Sequence, residues 1–240
     1  MAFRPGPAVA EEKRGPLRPE AVAFDAIGTL FDLAPVGARL RDVGLPREKL
    51  EEWYARLLRD AAALDITGVY RPFRQVAAGT LEAMLADAGK KADGERAEAF
   101  LSAFSELPAY PDAAPAFQRL TEAGVRVLVL TNGGADATAK LLKRAQLDAH
   151  VERVVSIDEV RRWKPAREVY RHAAGLAKVK PERLALVAAH DWDVHGAHRA
   201  GLVTGFVARK AGYHPAMDGP HVRGESLQHV ADALVALPKS

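Results

Sequence analysis

The sequence contains no cysteine, which excludes disulfide bonds, zinc–thiolate sites, iron–sulfur clusters and a thiol nucleophile. It also lacks any apolar run near the roughly 20 residues that a membrane span needs, so we predict a cytoplasmic protein without membrane contacts. Long runs of like charge are missing, and the formal net charge is only +3, which argues against a nucleic-acid partner. Any catalysis by this chain therefore uses oxygen and nitrogen groups.

The chain is otherwise of ordinary globular composition, with 240 residues of which 48% are apolar and 27% charged. This is enough for one large or two modest domains with a buried core. Residues 1–19 are the exception, because they contain four prolines and no apolar run of signal-peptide length. We predict that they form a disordered leader.

Apolar runs of strand length alternate with helical patterns through most of the chain. The run 21–27 is typical of a buried parallel strand, and strands and helices alternate from Pro111 onward. This alternation predicts an α/β fold with a Rossmann-like parallel sheet of four or five strands, covered by helices on both faces. The stretch 35–107 has only helical patterns. We predict that it is a helical cap domain inserted into a core domain of residues 20–34 and 108–240.

Two polar motifs follow the first two predicted strands. In FDAIGTLFD, Asp25 ends a strand and precedes a glycine turn and the hydroxyl of Thr29. A carboxylate there can attack carbon or phosphorus and form an ester that water later opens, or it can simply cap the turn. In LTNGG, Thr131, Asn132 and the N–H groups of a helix N-terminus can hold an anion. An Asn-Gly turn without a ligand is the alternative.

Two more motifs follow later strands. In SIDEVRRWKPAREVY, Lys164 precedes a proline and lies six residues before Tyr170. Its ammonium can hold the first carboxylate ionised and stabilise charge on a leaving group. In AHDWDVHGA, His190 is a candidate general base, Asp193 a candidate partner for the lysine, and Trp192 a further wall residue. The alternatives are a solvated lysine, a loop histidine and an aspartate that caps the following helix.

The four motifs fall at the C-terminal ends of four predicted parallel strands, so together they indicate one site at one edge of the sheet. His195 and His198 fall on the helix predicted to follow the fourth motif, and we expect them at the surface. The histidines and aspartates match no strong metal-ligand spacing. No metal site is predicted.

Taken together, these motifs resemble the haloacid dehalogenase superfamily, and within it the type II 2-haloacid dehalogenases. FDAIGTLFD is similar to the family's FDxYGTLFD, LTNGG to its Ser/Thr-Asn-Gly strand end, SIDEVRRWKPAREVY to SVDxVxxYKPxxxVY, and WDVHGA to WDxxGA. The resemblance implies the fold of that superfamily and a hydrolase that displaces halide from C2 of a short 2-haloacid through an aspartyl ester. It implies no metal and no cofactor.

The resemblance also assigns roles to residues of this chain. They are Asp25 as nucleophile, Thr29 as its support, Lys164 and Asp193 as the charged pair that orients Asp25 and the hydrolytic water, Tyr170 as a residue that shapes the site, and Thr131 with Asn132 as the anion or leaving-group site. The family's cap supplies an arginine for the substrate carboxylate and the halide. Our alignment puts Tyr54 near its place, with Arg56 and Arg59 on the same helix, and we predict Arg56. Caps of this kind often contribute to dimers, so a homodimer is one expectation that the exposed faces do not decide.

Two departures from the superfamily patterns bear on the reaction. Ile27 stands two residues after the nucleophile, where these dehalogenases have tyrosine and superfamily phosphatases have a second aspartate that protonates the leaving group. Ala188, Ala189 and His190 stand where dehalogenases have Ser-Ser-Asn, and the first metal-binding acid of the phosphatases is missing there. We expect His190 to position or deprotonate the hydrolytic water in place of the amide.

Three functions follow as hypotheses. The leading one is a metal-independent 2-haloacid dehalogenase. The second is a magnesium-dependent phosphatase acting on a small phosphometabolite, which Ile27 and Ala189 oppose. The third is a non-catalytic relative that binds a small carboxylate, and the altered loop at His190 is its best argument.

Overall fold

The computed structural model describes residues 15–91, 93–209 and 212–239. Its strands are β1 (Ala21–Phe24), β2 (Arg126–Thr131), β3 (Val151–Ser156), β4 (Leu184–Ala188), β5 (Val203–Val207) and β6 (Val222–Gly224). They form one sheet in the order β3-β2-β1-β4-β5-β6, and every neighbouring pair is parallel. The sheet therefore has one strand more than the four or five that were predicted. The additional strand is β6, which was missed because it is only three residues long and lacks an apolar run.

Nine α-helices accompany the sheet within the described residues. They are α1 (Ala34–Asp42), α2 (Leu50–Ile66), α3 (Phe73–Asp87), α4 (Gly94–Ser102), α5 (Ala113–Glu122), α6 (Ala135–Arg144), α7 (Arg167–Leu176), α8 (Asp191–Ala200) and α9 (Leu227–Ala236). Helix α8 begins at Asp191, directly after His190. Asp193 therefore lies inside the first turn of α8, and the alternative that it only caps this helix is wrong.

The strand order places the candidate site. From β1 the chain moves outward through β2 to β3, and it then returns to the other side of β1 to add β4 and β5. Right-handed crossovers in opposite directions put helices on both faces, and a crevice opens where the direction reverses. That reversal lies between β1 and β4. Asp25 follows β1 and His190 follows β4, so they meet at the crevice.

Apolar burial explains why these elements form. Strands β1, β4 and β5 are buried along their whole length, as expected of central parallel strands. The ring of Phe24 in β1 packs on that of Phe117 in α5, with ring centroids 4.9 Å apart. The core is therefore continuous from the sheet into the helices that cover it.

Helices α1 to α4 form a helical cap inserted between β1 and α5. Their own core is aromatic: the ring centroid of Trp53 lies 5.1 Å from that of Phe100 and 5.5 Å from that of Phe104. The cap is tied to the sheet domain by Arg162, whose guanidinium donates to both carboxylate oxygens of Asp65 at 3.0 Å. The end of α2 is thus held against the loop that carries Lys164.

The predicted disordered leader, residues 1–19, is described only in part. Residues 1–14 lie outside the described residues. The backbone N–H of Arg18 donates to the carbonyl of Pro238 at 2.7 Å, and its guanidinium donates to the carbonyl of Ala123. Pro19 is buried. The prediction of disorder is therefore wrong for Arg18 and Pro19, because the carbonyls of Pro238 near the C-terminus and of Ala123 after α5 hold Arg18, and Pro19 is buried.

No helix in the described ranges has the length and apolar character to span a bilayer. The two histidines predicted at the surface of α8 are half-buried instead. His198 stacks on His221 with ring centroids 4.7 Å apart, and Nδ1 of His195 accepts the N–H of Asp218 at 3.0 Å. Both histidines hold the segment that leads into β6.

Candidate active site

Asp25 leaves the sheet at the end of β1 and is held from two sides. One carboxylate oxygen, Oδ2, accepts the hydroxyl of Thr29 at 2.8 Å, and the other, Oδ1, accepts the ammonium of Lys164 at 2.8 Å. The hydroxyl oxygen of Thr29 itself accepts the N–H of Ala189 at 2.9 Å. Asp25 is therefore fixed by groups from three strand ends, and it is more than a turn cap.

Lys164 is the buried charge at the centre of the site. Its side chain is fully buried, and Nζ donates to Oδ1 of Asp25, to the carbonyl of Leu130 at 2.9 Å and to Oδ2 of Asp193 at 2.7 Å. An ammonium has three protons to donate, so all of them are used. The expectation that Lys164 reaches the sheet edge is confirmed in the geometry, and the alternative of a solvated lysine is wrong.

The charges decide the protonation of the three groups. Burial by itself raises the pKa of Asp25, but the charge of Lys164, together with His190 and the hydrogen bonds from Lys164 and Thr29, lowers it below its usual value of 3.8. Burial lowers the pKa of Lys164, and the two carboxylates outweigh that effect and raise it. Asp25 is thus a carboxylate and Lys164 an ammonium at neutral pH.

The electrostatic environment of Asp193 differs from that of Asp25. Burial raises its pKa, and although Lys164 opposes this, the neighbouring charge of Asp25 contributes to the net rise. Its second oxygen, Oδ1, accepts the hydroxyl of Tyr170 at 2.6 Å. Burial, followed by the charge of Asp193, raises the pKa of Tyr170 well above its usual range, so the phenol stays a donor. Two carboxylates therefore share one ammonium.

A glycine on α8 lets the lysine loop approach. A Cβ at Gly196 would lie 2.4 Å from Cβ of Pro165 and 2.8 Å from the hydroxyl oxygen of Tyr170. A Cβ atom essentially never lies this close to a non-bonded heavy atom, so any side chain at Gly196 displaces the loop or the tyrosine. This close contact explains the glycine of WDVHGA.

His190 lies on the other side of the Asp25 carboxylate. Its Nε2 is 3.0 Å from the carbonyl of Ile27 and 3.6 Å from Oδ2 of Asp25. Since a carbonyl only accepts, Nε2 carries the proton. The ring stacks on that of Trp192, with centroids 5.4 Å apart, and packs at a tilt against that of Tyr54 from the cap, at 5.7 Å.

A small chamber lies between the sheet edge and the cap. Its volume is ≈ 10 Å³, which is the room for about one water molecule. Its walls are Asp25, Ile27, Tyr54, Leu57, Leu58, Phe73, Thr131, Asn132 and Trp163. A second cavity of ≈ 350 Å³ lies between α6 and the cap, and Ile27 and Phe73 line both cavities. These two side chains therefore separate the chamber from the larger space.

Thr131 and Asn132 occupy the chamber wall as expected from LTNGG. The hydroxyl oxygen of Thr131 accepts the N–H of Gly133 at 2.9 Å. The amide oxygen of Asn132 accepts the backbone N–H of Lys164 at 3.2 Å. That bond fixes the orientation of the amide, so the NH₂ group of Asn132 remains as the donor on its other side.

Of the predicted site residues, Asp25, Thr131 and Asn132 line the chamber, and seven do not: Thr29, Arg56, Lys164, Tyr170, His190, Trp192 and Asp193. The hydroxyl of Tyr170 donates to Asp193, and the ring of Trp192 stacks on that of His190. Arg56 is paired with Glu52 at 2.7 Å and with Asp87 at 2.5 Å on the outer side of the cap. The assignment of Arg56 to the substrate is therefore corrected. Each step along a helix rotates the side chain by about 100°, so Arg56 and Tyr54, two residues apart on α2, point to different sides. Tyr54 is the one that faces the chamber.

Several wall residues were absent from the predicted site. Leu57, Leu58 and Phe73 come from the cap, and Trp163 directly precedes Lys164. The i, i+3, i+4 spacing of Tyr54, Leu57 and Leu58 was a usable signal, because it marks one apolar face of α2. Which side of the cap meets the sheet was not readable from it.

The oxygens beside Asp25 do not fit a divalent metal. Such an ion needs several oxygen ligands around an open position. Here the groups next to the Asp25 carboxylate are donors: the hydroxyl of Thr29, the ammonium of Lys164 and Nε2 of His190, which also donates to the carbonyl of Ile27. Within the described residues, no cluster of three or more acidic or histidine side chains is arranged to hold a metal.

Comparison with known proteins identifies the family. A family model of haloacid dehalogenase-like hydrolases matches residues 19–201. The chain belongs to this hydrolase family. The match covers every strand end that carries the Asp25, Lys164 and Asp193 groups.

Individual relatives of this hydrolase are similar over most of their length. (S)-2-haloacid dehalogenase 1 of Pseudomonas sp. (strain CBS-3) is 31% identical over 186 residues, which are 77% of this chain and 82% of that protein. (S)-2-haloacid dehalogenase 4A of Burkholderia cepacia is 29% identical over 219 residues, 90% of this chain and 92% of that protein. The structure of the L-2-haloacid dehalogenase from Xanthobacter autotrophicus with chloropropionic acid covalently bound has a TM-score of 0.84 at 24% identity, covering 91% and 99% of the two chains. That likeness shows the shared fold.

Proposed function

We propose that this hydrolase releases halide from short 2-haloacids and forms the 2-hydroxy acid, with Asp25 as its nucleophile. The observation that carries the proposal is a buried Asp25 carboxylate, held ionised by Lys164 at the wall of a small chamber. Ile27 stands where a phosphatase would need its second acid. The two curated relatives, both named (S)-2-haloacid dehalogenase, support the same reaction.

The first step is displacement at C2. A carboxylate oxygen of Asp25 forms a bond to C2 while the C2–halogen bond breaks, and the halide leaves with its electron pair. Asp25 becomes a neutral ester. Lys164 then keeps Asp193 as its ionic partner, so the buried ammonium is neutralised in both states. The second carboxylate thus balances the charge that the reaction removes.

The second step is hydrolysis of the ester. Water adds to the carbonyl carbon of the Asp25 ester, and the bond between that carbon and the oxygen attached to C2 breaks. The 2-hydroxy acid leaves with an oxygen that came from Asp25, and the carboxylate is restored with an oxygen from water. His190 is the ring nearest to this carboxylate, with Nε2 3.6 Å away.

His190 positions the water in this proposal. Its Nε2 proton is engaged by the carbonyl of Ile27, so the nitrogen that faces Asp25 has no free lone pair to accept a proton. This favours positioning over deprotonation, the two roles expected for His190. The role would be wrong if His190→Ala left both ester formation and turnover unchanged.

Asn132 and Thr131 bind the substrate carboxylate in this proposal. They lie beside Asp25 on the sheet side of the chamber, close to the N-terminus of α6. The NH₂ group of Asn132 and a helix N-terminus are donors that favour an anion. A 2-haloacid is larger than one water, so binding also requires Phe73 or the cap to move toward the larger cavity.

Halide release in the presence of a chelator tests the proposal. Chloroacetate, fluoroacetate and both enantiomers of 2-chloropropionate are offered to the wild type and to Asp25→Asn. We expect release by the wild type and a fall to background in Asp25→Asn, because the amide is a poor nucleophile. Magnesium-dependent hydrolysis of a phosphate ester without halide release would contradict the proposal. Binding of a 2-haloacid without product would favour the non-catalytic relative.

A further inference from the structure

The cap contributes one polar side chain to the chamber. Tyr54 lies on α2 and its ring packs on His190 with centroids 5.7 Å apart. Across residues 15–91, 93–209 and 212–239, its hydroxyl has no hydrogen-bond partner. The other cap residues of the chamber wall, Leu57, Leu58 and Phe73, are apolar.

The direction of the reaction makes this position significant. Displacement at a saturated carbon is in line, so the leaving atom lies opposite the attacking oxygen. Asp25 attacks from the sheet edge, where Lys164 and Thr29 hold it. The carbon–halogen bond therefore points toward the cap, where Tyr54 is the donor among otherwise apolar walls.

The phenol is suited to donate and not to accept a proton. Burial, followed by the charges of Asp25 and Asp193, raises its pKa well above the usual value of 10.0. Tyr54 therefore remains a neutral O–H group over the range in which Asp25 is ionised. The nearest arginines along α2 are engaged elsewhere: Arg56 pairs with Glu52 and Asp87, and Arg59 with Asp60.

We infer that the hydroxyl of Tyr54 is the hydrogen-bond donor that receives the departing halide, in place of a cationic side chain from the cap. This inference rests on the proposed function. As the Asp25 oxygen bonds to C2, the carbon–halogen electron pair passes to the halogen. The O–H of Tyr54 donates a hydrogen bond to the forming halide and keeps its proton. Tyr54 thus contacts the reacting atoms.

A neutral donor predicts a dependence on the leaving group. Hydrogen bonds strengthen as the acceptor becomes smaller and more charged, so chloride gains more from the phenol than bromide does. Bromide also leaves more readily without help. Loss of the hydroxyl should therefore slow release of chloride more than release of bromide, whereas a packing defect should slow both alike.

The test compares Tyr54→Phe with the wild type on 2-chloropropionate and 2-bromopropionate. Phenylalanine keeps the ring that packs on His190. We expect kcat/KM for the chloro substrate to fall about tenfold, the loss of one hydrogen bond to a charged group, with a smaller fall for the bromo substrate. Tyr110→Phe is the matched control, because Tyr110 donates to Asp32 at 3.1 Å outside the chamber. Its chloro-to-bromo ratio should stay at the wild-type value.

Halide binding gives a second readout that does not depend on turnover. Sodium bromide is titrated into each protein, and tryptophan fluorescence is recorded, because Trp163 lines the same chamber. We expect saturable quenching in the wild type and in Tyr110→Phe, and a weaker affinity in Tyr54→Phe. Tyr54-dependent bromide binding without halide release would uphold the site and contradict the proposed function. An unchanged substrate ratio in Tyr54→Phe, or equal bromide affinity in all three proteins, would overturn the inference.

Discussion

The two walls of the chamber are built on opposite principles. The sheet edge holds Asp25, Lys164 and Asp193, which are buried and fully paired with one another. The cap wall is apolar and presents one hydroxyl, that of Tyr54. The contrast teaches that the nucleophile's charge is fixed before any substrate arrives, whereas the cap determines size and the environment of the leaving group.

The largest expected effect comes from removing the shared cation. Lys164→Met leaves two buried carboxylates facing each other, and breaking a buried pair in this way costs about 3–5 kcal/mol in the free energy of unfolding. The pKa of Asp25 should rise and halide release at neutral pH should fall to near background. Urea denaturation and halide release measure the two effects.

The control for that variant is Lys140→Met on the exposed face of α6. Surface substitutions of this kind change stability by about 0.5 kcal/mol or less. If Lys164→Met were as stable and as active as Lys140→Met, the sheet edge would not depend on its charges, and the comparison between the two walls would break.

A backbone substitution tests how the sheet edge holds His190. Gly28 has φ +84°, and a Cβ there would lie 2.8 Å from Nε2 of His190. Gly28→Ala should cost about 1–3 kcal/mol in the free energy of unfolding and slow ester hydrolysis, since the ring must move. Gly68→Ala is matched, because Gly68 has φ +79° with no atom within 4 Å of the added Cβ. Equal losses of stability and activity in Gly28→Ala and Gly68→Ala would show that the positive φ alone causes them, and not the contact with His190.

Changes of pH should affect stability and ester formation less than these substitutions do, and only on the acid side. The pKa of Asp25 is lowered, so its ionised form contributes stability above its usual value of 3.8, and that contribution is lost as pH falls through the lower folded value. The raised pKa of Asp193 acts in the opposite sense. We expect the rate of ester formation to be nearly flat from pH 7 down to about 4. An acid limb above pH 5 would contradict an Asp25 held ionised by Lys164.

The smallest effect is expected from a substitution of Arg56, the cap residue that does not line the chamber. Arg56 makes ion pairs at the cap surface, and such pairs contribute about 0–1 kcal/mol. Arg56→Gln should therefore leave kcat/KM for 2-chloropropionate within about twofold of the wild type. A loss of a hundredfold would restore Arg56 as a substrate ligand and contradict the position of Tyr54 at the chamber.

The same contrast explains what the sequence could predict. Asp25, Lys164, His190 and Asp193 were predictable, because each follows an apolar run and parallel strands end at one edge. Their placement needs only topology. Strand β6 was not predictable, since its three residues are held by pairing with β5 and not by an apolar pattern of their own.

The cap was predictable only as helices. Residues of α2 that are two positions apart face different sides, so choosing between Tyr54 and Arg56 requires the orientation of α2 against the sheet. That orientation depends on contacts distant in sequence, such as the pairing of Arg162 with Asp65. Arg56 was favoured over Tyr54 because the resembling dehalogenases use an arginine from their cap, and the packing of α2 reverses that choice.

The central claim is that Asp25 attacks the substrate and that water attacks only the resulting ester. A single turnover of 2-chloropropionate in H₂¹⁸O, with enzyme in excess, tests this most directly by mass spectrometry of the product and of the peptide that contains Asp25. The account predicts ¹⁶O in the new hydroxyl of the product and ¹⁸O in Asp25. A product hydroxyl carrying ¹⁸O, with no label in Asp25, would show direct attack by water and contradict the account.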